Sequence, residues 1–291
     1  MPVPVEPPIE TPATLAEAWA ILAGSTAEDQ VTPIAGGTDV MVRINGEIGE
    51  PPTRLVDLSR LGELRGIAMA GDAVVLGSLT TYTEIRRSGL CREHLPALVE
   101  AAATIGAAQI QNRGTLGGNI ANASPAGDTL PVLLALDAEI VVGGPRGERT
   151  VAASDFWVAY RRTALAPDEL ILRIRIPVRG GREARFRKIG TRRAQAISKV
   201  VIAVAWNERR GDPAWRDVRV ALGSVADRPI RSTAAEEALE GRPPTTESAD
   251  AGAEALAAGI HPIDDVRSTA DYRRVVAARA LHRIVRDVGG W

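Results

Sequence analysis

Cysteine, lysine and aromatic residues are all scarce in this chain of 291 residues: one Cys (Cys91), two Lys, five Trp, three Tyr and two Phe. A lone thiol excludes an intrachain disulfide and suits a reducing cytoplasm. It also excludes a resident iron–sulfur cluster, which generally needs several cysteine ligands. His94, His261 and His282 are scattered without the short spacing of a metal motif, so no metal site is expected. No stretch approaches the roughly 20 apolar residues of a membrane span. The start, Met1-Pro-Val-Pro-Val-Glu-Pro-Pro, has neither the basic residues nor the apolar run of a secretion signal, so a cytoplasmic location is expected. The formal net charge of −1 gives no broad attraction to nucleic acid or to a membrane surface. Arginine outnumbers lysine 33 to 2 but alternates with acids, which reads as compositional bias.

With 45% hydrophobic residues the chain can bury a sizeable core, and its length suggests two domains. Two glycine-rich turns about eighty residues apart dominate the pattern: Ala35-Gly36-Gly37-Thr38-Asp39 and Thr115-Leu116-Gly117-Gly118-Asn119. Paired glycines permit positive φ and close approach to a ligand, and successive N–H groups make an anion-binding concavity. Two such turns fit a long ligand with a central diphosphate. Each alone reads more readily as a hairpin or strand end, in a chain with 28 glycines and other Gly-Gly pairs. Neither matches the phosphate-binding loop or the Gly-x-Gly-x-x-Gly turn of a doubly wound nucleotide fold.

The order of elements reads as α+β. Thr14-x-x-Glu17 opens a helix to Ala23, and Val31–Ile34 is a strand feeding the first glycine turn. Leu55–Leu58 closes a subdomain of about residues 1–58. The second subdomain, 59–178, holds a strand at Val74–Gly77, helices at Thr83–Ser88 and Pro96–Ile105, and a strand at Glu139–Val142. Leu170–Ile176 alternates Ile with Arg, the period-two pattern of a half-buried strand. Gly180-Gly181 then links to a unit at 182–291. There, strands are expected at Ala184–Ile189, Val200–Trp206 and Val218–Val225, and helices at Thr233–Leu239, Ser248–Ala258 and Tyr272–Val288.

Five motifs in sequence order resemble those of the FAD-binding medium subunits of the molybdenum hydroxylases, the xanthine dehydrogenase and aerobic carbon monoxide dehydrogenase family. Ile34–Asp39 looks like the family's first flavin motif and Gln111–Asp128 resembles the second. Tyr160–Thr163 with Asp168–Leu170, Arg187–Arg193, and Asp264–Arg273 follow. The resemblance covers nearly the whole chain. It implies a two-part FAD-binding domain, PCMH-type or vanillyl-alcohol-oxidase-like, at 1–178. A smaller C-terminal domain of a three-stranded antiparallel sheet with helices follows at 182–291. It also implies noncovalent FAD here, two [2Fe–2S] clusters on a small partner subunit and molybdopterin on a large one. The expected assembly is a dimer of heterotrimers that passes electrons from those clusters to an external acceptor, with the organic substrate chosen elsewhere.

Carried over by motif, Ile34, Ala35, Gly36, Gly37, Thr38 and Asp39 wrap one side of the FAD diphosphate, and Thr115, Gly117, Gly118 and Asn119 grip the other. Ser124 and Asp128 lie where the family's Asp bonds FAD hydroxyls; read alone, Asp128 is a turn residue capping the next helix. Ile105 and Ile171 match positions that pack on the cofactor. Lys188 falls where a family lysine stands near the isoalloxazine ring, and a cation there tunes the flavin. Tyr160-Arg161 has no derived role. Ala194-Gln195-Ala196 replaces the acidic stretch of the xanthine dehydrogenases. Two alternatives remain: a self-sufficient reductase of the enolpyruvyl-UDP-N-acetylglucosamine reductase type, whose substrate-domain motifs are not found, and a non-redox flavin-binding scaffold.

Overall fold

The computed structural model describes residues 7–26, 28–45, 52–192 and 195–291. Arg193 and Ala194, part of the motif after Arg187, lie outside the described residues. Among the described residues three larger sheets and one two-stranded hairpin, Trp157–Ala159 with Arg162–Thr163, carry the architecture, with helices packed between and behind the larger sheets.

The first sheet is small and parallel: Arg54–Asp57 is flanked by Ile9–Glu10 and Val31–Ile34. Helix Leu15–Ala23 covers it. Its start is set by Thr14, whose hydroxyl accepts from the Glu17 N–H at 3.2 Å while the Glu17 carboxylate accepts from the Ala13 N–H at 2.7 Å. That reciprocal arrangement satisfies N–H groups a helix start otherwise leaves open.

The second sheet is antiparallel and five-stranded, in the order Ile67–Ala70, Ala73–Gly77, Leu170–Pro177, Glu139–Gly144, Gly147–Ala152. In the central strand Ile174 and Ile176 are fully buried, while Arg173 and Arg175 alternate with them on the opposite face. The helices Tyr82–Arg87, Pro96–Thr104 and Leu130–Ala135 share the core under this sheet.

The third sheet has three long antiparallel strands, Arg182–Ile189, Val200–Arg209 and Asp212–Gly223, with a fourth of only two residues, Ile230–Arg231, at its edge. Val200–Trp206 shows no polar alternation because both its faces are covered. Val201, Ala203 and Ala205 pack toward the helices of the second sheet. Val200, Ile202, Val204 and Trp206 pack toward the C-terminal helices Thr233–Leu239, Thr246–Gly259 and Ala270–Gly289. Trp206 stacks on Trp215 with ring centres 4.1 Å apart. The edge strand divides in the same way: Ala184, Phe186 and Lys188 face inward, and Arg185, Arg187 and Ile189 face the other side. Among the described residues no helix is long and apolar enough to cross a membrane.

Candidate functional site

The first glycine motif joins the strand Val31–Ile34 to the short helix Val40–Ile44. Gly37 has φ +75°, a conformation that excludes most side chains. None of the N–H groups of Gly36, Gly37, Thr38 and Asp39 donates to another described residue. Four unpaired donors on consecutive residues leave an anion seat.

The second motif is built differently. Thr115 caps the helix Leu116–Asn122, its hydroxyl accepting from the Gly118 N–H at 3.0 Å. The Leu116 and Gly117 N–H groups donate to the carbonyls of Thr80 and Ser78, each at 2.9 Å, and the Asn119 N–H donates to the Thr115 carbonyl at 3.0 Å. A row of free backbone donors, expected from the paired glycines, is therefore absent at Leu116–Asn119: the helix cap and the neighbouring loop engage them. Gly117 serves close packing, since a Cβ there would lie 2.6 Å from Ser78. Gly118 borders open space apart from the Thr115 hydroxyl. Asn119 accepts from the Thr129 hydroxyl at 2.6 Å through Oδ1, which leaves its Nδ2 as a donor.

The fold presses the two motifs together. A Cβ on Gly36 would lie 1.9 Å from the Arg113 carbonyl oxygen and 3.0 Å from the Gly114 Cα. Across the same junction the Asn122 amide donates to Asp39 at 2.9 Å, and Arg161 donates to Asn122 Oδ1 at 3.1 Å. Arg161 adopts a left-handed backbone, φ +51°, at the tip of the hairpin formed by Trp157–Ala159 and Arg162–Thr163. Nothing in the sequence assigns Tyr160-Arg161 a role; the structure places Arg161 on Asn122, the residue that bonds Asp39, and its charge opposes the rise that burial gives the Asp39 pKa.

Asp128 and Lys188, 60 residues apart, form a buried ion pair at 2.5 Å with both side chains under a tenth exposed. Lys188 also donates to the Thr104 carbonyl at 3.1 Å, and the Ser198 hydroxyl donates to Asp128 Oδ1 at 3.0 Å. Burial pushes the Asp128 carboxyl above the usual carboxylate range, while Lys188, Ser198 and Thr104 pull it down. Asp128 is not a helix cap: the residue at the start of Leu130–Ala135 is Thr129, which makes no side-chain capping bond. Lys188 does not stand as an isolated cation either, because its carboxylate partner neutralises it. Ser198 was not singled out from the sequence, where nothing separates it from other serines.

Ser124 shapes the loop before Asp128, its Oγ accepting from the Ala126 N–H at 3.3 Å. That loop is anchored to the third sheet, with the Ser224 N–H donating to the Pro125 carbonyl at 2.8 Å and the Ser198 hydroxyl to the Ala126 carbonyl at 3.1 Å. Behind it, buried Arg273 donates to the Ser224 carbonyl at 3.1 Å and to Asp265 at 2.6 Å. The Asp264–Arg273 motif thus supports the site loop from a distance. Ile105 is half-buried at the end of the helix Pro96–Thr104, and Ile171 is 6% exposed within the same core. The Asp168–Leu170 motif is structural: Arg146 grips Asp168 with two bonds, and Arg149 grips Glu169 likewise.

These groups fit a dinucleotide with neutral donors: the open N–H row at Gly36–Asp39, the Asn119 amide, and a paired carboxylate able to accept from hydroxyls. Comparison with known proteins agrees. Residues 5–179 match the model of the FAD binding domain in molybdopterin dehydrogenase, and residues 185–288 match that of the CO dehydrogenase flavoprotein C-terminal domain. The chain is 32% identical to the carbon monoxide dehydrogenase medium chain of Hydrogenophaga pseudoflava, covering 94% of this chain and 93% of that one. It is 30% identical to the xanthine dehydrogenase FAD-binding subunit of Escherichia coli O157:H7, covering 96% of each. The solved carbon monoxide dehydrogenase of H. pseudoflava lacking the Mo-pyranopterin moiety superposes with a TM-score of 0.91 at 32% identity, covering 97% of this chain and 96% of that one. The fold and site define an FAD-binding oxidoreductase subunit. The chain belongs to the medium subunits of the molybdenum hydroxylase family.

Proposed function

We propose that this chain is the flavin station of a three-subunit molybdenum hydroxylase, with residues 1–178 holding FAD noncovalently and residues 182–291 closing on it through Lys188 and Ser198. Bound FAD supplies redox chemistry between the [2Fe–2S] clusters of a small subunit and an external acceptor. The residues of this chain bind and orient it. Gly36, Gly37, Thr38 and Asp39 offer backbone donors to the diphosphate, which bond an anion more strongly than a neutral acceptor. Asn119 adds its amide. Asp128, held by Lys188 and Ser198, accepts from FAD hydroxyls.

The observation that carries this reading is the junction of the two glycine motifs, where Gly36 lies against the Arg113 carbonyl and four N–H groups stay unpaired. The substrate is chosen on the molybdopterin subunit, since relatives named for carbon monoxide and for xanthine share this architecture. The assembly is a dimer of heterotrimers.

An absorbance spectrum of the purified chain before and after acid precipitation tests the core of the proposal. Flavin bands with FAD released by acid are expected. A colourless chain that refuses added FAD would overturn it. Chains bearing the clusters and molybdopterin are expected to co-purify on co-expression, and the chain alone should oxidise no purine, aldehyde or carbon monoxide.

A further inference from the structure

Tyr82 opens the helix Tyr82–Arg87, directly after the capping residue Thr81. It is 4% exposed, yet its hydroxyl makes no hydrogen bond to a described residue. A buried phenol usually finds a partner for its O–H. The Tyr82 oxygen is also not among the fully enclosed side-chain atoms without partners, unlike the indole nitrogens of Trp19 and Trp215, so it keeps a path to solvent.

Its position explains where that path leads. The Tyr82 N–H donates to the Gly114 carbonyl at 3.3 Å, and a Cβ on Gly114 would lie 2.8 Å from the Tyr82 ring. Gly114 is also the residue against which Gly36 packs. Gly36, Gly114 and Tyr82 thus make a continuous stack of close approaches joining both glycine motifs. The carboxylates of Asp39 and Asp128, one from each motif, act on the phenol together with burial, and all three raise its pKa. The group stays protonated at any working pH and can only serve an acceptor as a neutral donor.

We propose that Tyr82 is an FAD-binding residue, its hydroxyl donating to an oxygen of the diphosphate at the junction of the two glycine motifs. The assignment rests on the FAD-binding reading of that junction. It supplies a donor where the second motif has engaged its own N–H groups and where neither motif contains a lysine.

Tyr82→Phe removes only the oxygen and keeps the ring that packs on Gly114. The test is an FAD titration of the full-length apoprotein, followed by flavin fluorescence, beside thermal melts of the apoprotein. A hydrogen bond to a charged oxygen predicts FAD binding weakened by roughly 10- to 100-fold, with the apoprotein Tm unchanged. Equal FAD affinity of variant and wild type would overturn the assignment while leaving the FAD reading intact. A lowered apoprotein Tm matching the loss of affinity would also overturn it, since the hydroxyl would then serve the fold. Wild-type protein that binds no FAD would remove both.

Discussion

Replacing Lys188 with methionine keeps the length and apolar stem of the side chain but deletes the ammonium that faces Asp128 at 2.5 Å. The carboxylate left behind is 6% exposed and cannot recover its hydration. Removing one partner of a buried pair costs about 3–5 kcal/mol. The cost depends on pH in a direction that follows from the site. Burial already raises the Asp128 pKa from 3.8, and Lys188 is the largest influence opposing that rise. Without Lys188 the folded-state value climbs further. An acid raised in the folded state contributes its full stability below the unfolded pKa and loses it as pH rises through the folded one. Variant and wild type are therefore expected to differ near pH 4 only by the lost bond to the Thr104 carbonyl, about 1 kcal/mol. Toward pH 7.5 the gap should widen to about 3 kcal/mol, or roughly 6–12 °C in Tm. Thermal melts of the apoprotein across that range measure it directly. A deficit that stays constant with pH, or shrinks as pH rises, would refute the charged pair. Adding Asp128→Asn to Lys188→Met removes the titrating group and should flatten the pH dependence.

Gly36→Ala places a methyl 1.9 Å from the Arg113 carbonyl oxygen. The motifs must separate, so FAD binding should fall by at least tenfold in a fluorescence titration; unchanged affinity would show that their contact is not needed. Gly118→Asp meets only the Thr115 hydroxyl and should yield folded, colourless protein, whereas full flavin content by absorbance would sink the site assignment. Arg273→Met takes one donor from the Ser224 carbonyl and one from Asp265, which keeps its backbone bonds and the Arg267 ion pair, at a cost of about 1–3 kcal/mol in chemical denaturation. An Arg273 variant as stable as wild type would remove its supporting role.

Local pattern and tertiary outcome separate cleanly here. The Ile and Arg alternation of Leu170–Ile176 placed a strand with one face buried, and the Thr14-x-x-Glu17 start placed a helix, because side-chain period and capping act within a few residues. The ordered motifs carried the family and the FAD reading over nearly the whole chain. The second glycine motif misled locally: Thr115 reads as part of a turn but caps a helix through its own hydroxyl, and the distant Thr80 and Ser78 carbonyls take the Leu116 and Gly117 N–H groups that a turn would leave open. The apolar run Val200–Trp206 identified a buried strand without saying what would cover each face. By itself the sequence determined side-chain periodicity and the Thr14 helix start, which depend on neighbours along the chain. Only the tertiary structure decided that Lys188 and Ser198 meet Asp128, that Arg161 reaches Asn122, and that Tyr82 packs on Gly114. Those contacts span tens of residues, and the burial that gives each its chemistry exists only once the sheets have packed.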